Sequence, residues 1–212
     1  MRFLAVLYFI NRFIMFVLTN FSLEESSMLR NSTQHYGLVS ISLHWLSAIA
    51  VIGLFALGLW MVELTYYSSW YKTAPDIHKS VGVLLLLATL FRLIWRVCTL
   101  QPVPEAGHKA WEKRAASIAH LGLYLLLLVI MFAGLLISTA DGRGVMVFNW
   151  FEVPGFGELF EDQADIAGLI HEYAAYSLIG LVLVHAAGAI KHHVIDKDNT
   201  LKKMLGFNNH NS

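Results

Sequence analysis

The feature that most constrains this chain is the stretch from Asp165 to His193, DIAGLIHEYAAYSLIGLVLVHAAGAIKHH. It is apolar enough and long enough to cross a bilayer, yet it carries His171 and His185 within the span. The two lie 14 positions apart (185 − 171). At about 100° and about 1.5 Å per residue they share one helical face, about 21 Å apart along the axis. Ionisable side chains at membrane depth are costly and turn toward a bundle interior, which makes each histidine a candidate for function.

The rest of the 212-residue chain resembles this stretch in character. Hydrophobic residues make up 57% and charged residues only 14%, where a soluble domain is nearer half apolar and a quarter charged. Four long apolar runs predict an all-α fold, an integral membrane four-helix bundle in one domain. The formal net charge is zero, which gives no indication of nucleic acid. Cys98 is the only cysteine, so neither a disulfide framework nor a cysteine-based cluster is available, and C-x-x-C-H is absent. Any haem is therefore expected to be held non-covalently.

The four spans are expected at about 40–62, 77–97, 115–137 and 165–193. His44 lies near the start of the first beside Trp45, an aromatic anchor at interfacial depth. Glu63, Lys72, Pro75 and Asp76 are read as the connection to the second, which opens at His78 and closes at Arg92 and Arg96. His120 lies near the start of the third. A loop of about 27 residues follows, carrying Gly142, Gly144, Pro154, Gly155 and Gly157 and five acids. Residues 1–27 are interrupted by Arg2, Asn11 and Arg12, leaving no run long enough to span. They are read as a start-site artefact, since Met28 would open a tidy protein. The competing readings are a signal peptide, against which no small-residue cleavage site is seen, and an amphipathic surface helix.

Topology follows from the basic residues. Arg96, Lys109, Lys113 and Arg114 mark the second connection, and Lys191, Lys197, Lys202 and Lys203 mark the tail, while the third connection has only Arg143. The positive-inside rule places the basic segments and both termini in the cytoplasm and the acidic loop outside. Depth then sorts the histidines into two pairs, His44 with His185 in the inner part and His78 with His171 in the outer part. Two neutral imidazoles facing each other from two helices are what bis-histidine ligation of haem iron requires, so two haems stacked across the membrane are expected. With both axial positions filled, electron transfer is favoured over oxygen binding. Gly53, Gly82, Gly168, Gly180 and Gly188 are candidates for close approach of the porphyrin edge.

Plainer readings stand beside these. A membrane histidine also serves by bonding a carbonyl or hydroxyl of the next helix. His120 is a candidate contact for a haem propionate or a quinone, or a structural contact. Arg92 lies 14 positions after His78 (92 − 78), on one face with it; its fork of donors suits a propionate, and snorkelling to lipid phosphate is the alternative. His192 and His193 are read as interfacial, and His35, His108 and His210 as solvated.

Three motifs carry a family resemblance: SLHW opening the first span, IH within DIHKSVG opening the second, and HEYAAYSLIGLVLVHAAGAIKHH in the fourth. With the tail KHHVIDKDNTLKKML, they resemble the bacterial cytochrome b561 family of four-helix, di-haem inner-membrane proteins. The cytochrome subunits of membrane formate dehydrogenases and nickel–iron hydrogenases are similar in plan. The likeness implies an N-terminal extension over 1–35, a four-helix transmembrane domain over 36–205 and a tail over 206–212. It implies two haem b groups, with iron ligated by His44, His78, His171 and His185. Well-studied members exchange electrons with ubiquinone, and one takes electrons from periplasmic superoxide. The expected function is movement of electrons between an outer-side donor and the quinone pool, with superoxide:ubiquinone oxidoreduction as one form. A membrane-anchor subunit of a dehydrogenase or hydrogenase, and a non-haem proton or metal-ion transporter, are the alternatives.

Overall fold

A computed structural model describes residues 28–105 and 107–207 of the chain. The expectations for residues 1–27, and for His210, fall outside the described residues. The four apolar runs form four long helices: α1 (Leu38–Met61), α2 (Thr73–Cys98), α3 (Ala110–Thr139) and α4 (Gln163–Val194), with a short α5 (Thr200–Met204) in the tail. Each of the four long helices is apolar and long enough to cross a membrane. The chain is an integral membrane four-helix bundle.

The helices overrun the expected spans by a few residues at most ends, and the beginning of α2 is a correction. Pro75 and Asp76, read as connection, lie in its first turn. A proline there removes an N–H that has no partner inside the helix, so it is tolerated, and Asp76 complements the positive helix N-terminus. At α3, the Lys109 N–H is taken by the Glu112 carboxylate at 2.8 Å, half of a capping box.

The packing is uneven in an informative way. α4 runs closely along α3, α1 along α2, and α2 along α3. α4 is not closely packed on α1 or on α2, the helices carrying the other two expected ligands. At mid-depth Val51, Leu85, Leu86, Met131 and Leu178 form one buried apolar cluster drawn from all four helices. Leu178 is seven residues from both His171 and His185, so this layer lies about 10.5 Å from each.

The long acidic connection, expected as loop, contains a hairpin. β1 (Val145–Val147) pairs antiparallel with β2 (Phe151–Val153), Val145 opposite Val153 and Val147 opposite Phe151. Val145 and Val147 are buried against Val83 of α2. The Ser80 hydroxyl accepts the Phe148 N–H at 3.2 Å and donates to the Met146 carbonyl at 3.4 Å. The hairpin is thereby fixed to α2 two residues beyond His78.

Gln163, fully buried at the start of α4, ties the remainder of this connection down. Its Oε1 accepts the Leu159 N–H at 2.7 Å and its amide donates to the Leu136 carbonyl at 2.9 Å. Replacing it with leucine leaves the Leu159 N–H without a partner, a cost of about 1–3 kcal/mol. The expected result is an earlier thermal transition of Gln163→Leu in detergent, with the visible spectrum unchanged at room temperature.

Candidate functional site

The histidines expected to pair do meet. At the end of the bundle where the basic segments lie, His44 of α1 and His185 of α4 have ring centroids 6.3 Å apart. At the hairpin end, His78 of α2 and His171 of α4 are 6.1 Å apart. With a metal–nitrogen bond of about 2.1 Å and a ring nitrogen about 1.1 Å from its centroid, imidazoles opposed across one metal atom stand about 6.4 Å apart. Both separations match that value. His171 and His185 project on the same face as the buried Ala167, Ala174 and Leu178, the interior face of α4.

The hydrogen bonds around the hairpin-end pair suit ligation. His171 Nδ1 is 2.8 Å from the Ile130 carbonyl of α3. A carbonyl only accepts, so the proton is on Nδ1 and the Nε2 lone pair is free for a metal, the tautomer that outer-sphere carbonyls commonly fix. His78 Nδ1 is buried and has no hydrogen-bond partner among the described residues.

Two glycines outside the five candidates lie against these rings. A Cβ on Gly134 of α3 would stand 3.2 Å from His171 Cε1, and one on Gly58 of α1 would stand 3.3 Å from His78 Cε1. Both contacts are tighter than a side chain normally makes, so glycine is what lets each imidazole lie against the neighbouring helix. At Gly53, Gly82, Gly168, Gly180 and Gly188 a Cβ would meet nothing within 4 Å. Of these, Gly180 lies on the face of α4 opposite the two histidines, away from the pairs.

The basic-end pair has a more polar surround. Arg92 Nη2 is 3.0 Å from His44 Nδ1, and the guanidinium lies over the Tyr124 ring at 5.6 Å. A guanidinium only donates, so in this contact His44 keeps its proton on Nε2. Ligation through Nε2 puts the proton on Nδ1 and so requires Arg92 to leave Nδ1, which its long side chain allows. The ring of His120 is 5.2 Å from that of His185. Arg92 and His120 are thus beside the basic-end pair, as their depth in the sequence predicted.

One histidine reading is overturned. His108, expected to be solvated, is largely buried, with Nε2 2.8 Å from Asp198 Oδ2. At the opposite end, Lys79 pairs with Asp76 at 3.3 Å. Arg143 Nε donates to Asp141 at 2.7 Å, which holds the Asp141 carboxyl below its ordinary range.

The sequence profile described as prokaryotic cytochrome b561 matches residues 35–207. The chain belongs to that family. It is 49% identical to cytochrome b561 homolog 2 of Escherichia coli (strain K12) over 176 residues, 83% of this chain and 94% of that protein. It is 29% identical to cytochrome b561 homolog 1 of the same strain, over 78% of this chain and 93% of that one. It is also 29% identical to the probable superoxide oxidase CybB of Yersinia pestis, over 80% and 95% of the two chains. This is a membrane electron-transfer protein of a family that implies haem b. The residues present fit that group: four imidazoles in two opposed pairs, one of them already in the required tautomer.

Proposed function

We propose that this cytochrome b561 holds two haem b groups in the bacterial inner membrane and passes electrons between an outer-side donor and the quinone pool. His44 and His185 hold the inner haem, and His78 and His171 the outer one. The observation that carries the reading is that α4 contributes to two imidazole pairs, each with the spacing of ligands opposed across one metal atom. Bound haem supplies the one-electron redox chemistry, and the protein supplies ligands, orientation and local charge.

The chain's own residues orient and insulate that chemistry. The Ile130 carbonyl fixes the His171 tautomer. The layer of Val51, Leu85, Leu86, Met131 and Leu178 excludes water between the two sites. Arg92 is within reach of an inner-haem propionate once it leaves His44, and with His120 it forms the candidate contact for ubiquinone. The basic segments at this end support a cytoplasmic position for both termini.

The donor is the open half of the reaction. The name of the Yersinia pestis relative supports superoxide. Steering of an anion would need a basic funnel from Lys72, Lys79 and Arg143, and Lys79 and Arg143 are each paired with an acid. That pairing favours the second reading, in which the chain anchors a peripheral dehydrogenase or hydrogenase and receives electrons by contact.

Purified full-length protein in detergent tests the proposal. It is expected to contain two haems per chain by pyridine haemochrome assay, with both b-type α bands reducible by a ubiquinol analogue. A haem-free preparation that still moves protons or metal ions in vesicles would overturn it in favour of a transporter. Superoxide-driven reduction of a ubiquinone analogue by the isolated chain separates the first donor reading from the second.

A further inference from the structure

Beyond the basic-end pair, the connection between α2 and α3 meets the C-terminal tail at a second cluster of metal-ligating side chains. His192 follows His185 by seven residues, so it is on the same face of α4, about 10.5 Å further along the axis. Its ring lies 4.3 Å from that of His108, centroid to centroid. Asp198 stands between them. One of its oxygens, Oδ1, accepts the Thr200 N–H at 2.8 Å, which fixes the carboxylate. The other, Oδ2, is 2.8 Å from His108 Nε2 and 3.0 Å from His192 Nδ1.

Two features separate this cluster from an ordinary surface network. His192 Nδ1 also lies 2.8 Å from Asp196 Oδ2, yet this buried nitrogen is aligned for a hydrogen bond with neither carboxylate. Meanwhile Lys191 occupies the neighbouring acids, its Nζ 2.6 Å from both Glu112 Oε1 and Asp196 Oδ2. Asp198 has no lysine or arginine partner among the described residues, and it is the carboxylate on which two imidazole nitrogens converge.

We propose that His108 Nε2, His192 Nδ1 and Asp198 Oδ2 form a divalent transition-metal site of the zinc class, with water as the fourth ligand. The three ligand atoms lie within 4.8 Å of one another. A tetrahedral ion with bonds of about 2.0–2.1 Å needs them about 3.3 Å apart, so small side-chain rotations open the site to size. Two imidazoles and one carboxylate select zinc-like ions over magnesium and calcium, which take oxygen ligands. On binding, the proton that His108 presents to Asp198 leaves Nε2 for solvent and Nδ1 takes one up from solvent, so that each neutral ring carries its single proton on the nitrogen facing away from the ion.

The site would tie together segments 90 residues apart in the chain. Directly beyond it, the Met204 carbonyl of α5 accepts the indole N–H of Trp45 at 2.8 Å, next to His44. A metal here clasps the tail across the end of the bundle where the inner haem is proposed.

The test uses haem-replete full-length protein, purified through a tag without histidine, stripped with chelator and dialysed against zinc. One zinc per chain is expected by elemental analysis. His108→Ala and Asp198→Asn should each weaken binding at least tenfold, while His193→Ala retains it; unchanged haem content in these variants shows that the bundle is intact. In the wild type, zinc should slow tryptic cleavage at Lys197, Lys202 and Lys203, a readout that needs no variant. Absence of zinc above the stripped background in the wild type, or zinc held undiminished by both ligand variants, would overturn the proposal. Neither result bears on the haem assignment, because haem content is read separately.

Discussion

His78→Ala is expected to leave the membrane with one haem per chain in place of two, the remaining one being held by His44 and His185. The effect is large because, on the proposed assignment, one of the two imidazoles that hold this haem is lost and His171 is left without its partner 6.1 Å away. It is also direct. His78 Nδ1 makes no hydrogen bond among the described residues, so the substitution deletes no packing bond that would unfold α2. The measurement is a pyridine haemochrome ratio together with a reduced-minus-oxidised spectrum, in which one α-band component disappears. His171→Ala should lose the same component, since both residues are proposed to hold one haem. If His78→Ala keeps both haems, the assignment of the hairpin-end pair fails.

The helices and their pairing were readable because both follow from simple periodicities. Long apolar runs fix the spans, and a spacing of 14 residues keeps two side chains on one helical face at two depths. The same spacing would have found the residues that were missed. Gly58 is 14 positions after His44, and Gly134 is 14 after His120, as Arg92 is after His78. On each helix, the residue opposite a basic-end group in this register faces the other site. The five glycines chosen by their presence on a span are different positions, where a Cβ would meet no protein atom within 4 Å. The hairpin was hidden for a different reason. Its turn places Phe148 and Asn149 at positive φ, and a phenylalanine there carries no turn signal. His108 was misread because its partner lies 90 residues away, a distance over which only the tertiary fold brings the two together.

At the other end of the bundle, His185→Ala is expected to remove the inner haem and bring ubiquinone-analogue reduction down to the background rate, while the outer haem remains and is still reduced by dithionite. His120 is the nearest candidate to substitute for His185 that the ring contacts show, its ring 5.2 Å from that of His185. That separation is about an ångström short of two imidazoles opposed across one metal, so the contact is lateral and not a third axial position. His120→Ala should therefore keep both haems. If His120 touches the quinone, its loss raises KM for the quinone with little change in spectrum; if it bonds a propionate, the inner-haem band and potential shift and KM does not. Retention of the inner haem in His185→Ala would break the pairing of His44 with His185. A single helix would then no longer hold both cofactors, and the path between the two sides would have to run through another set of residues.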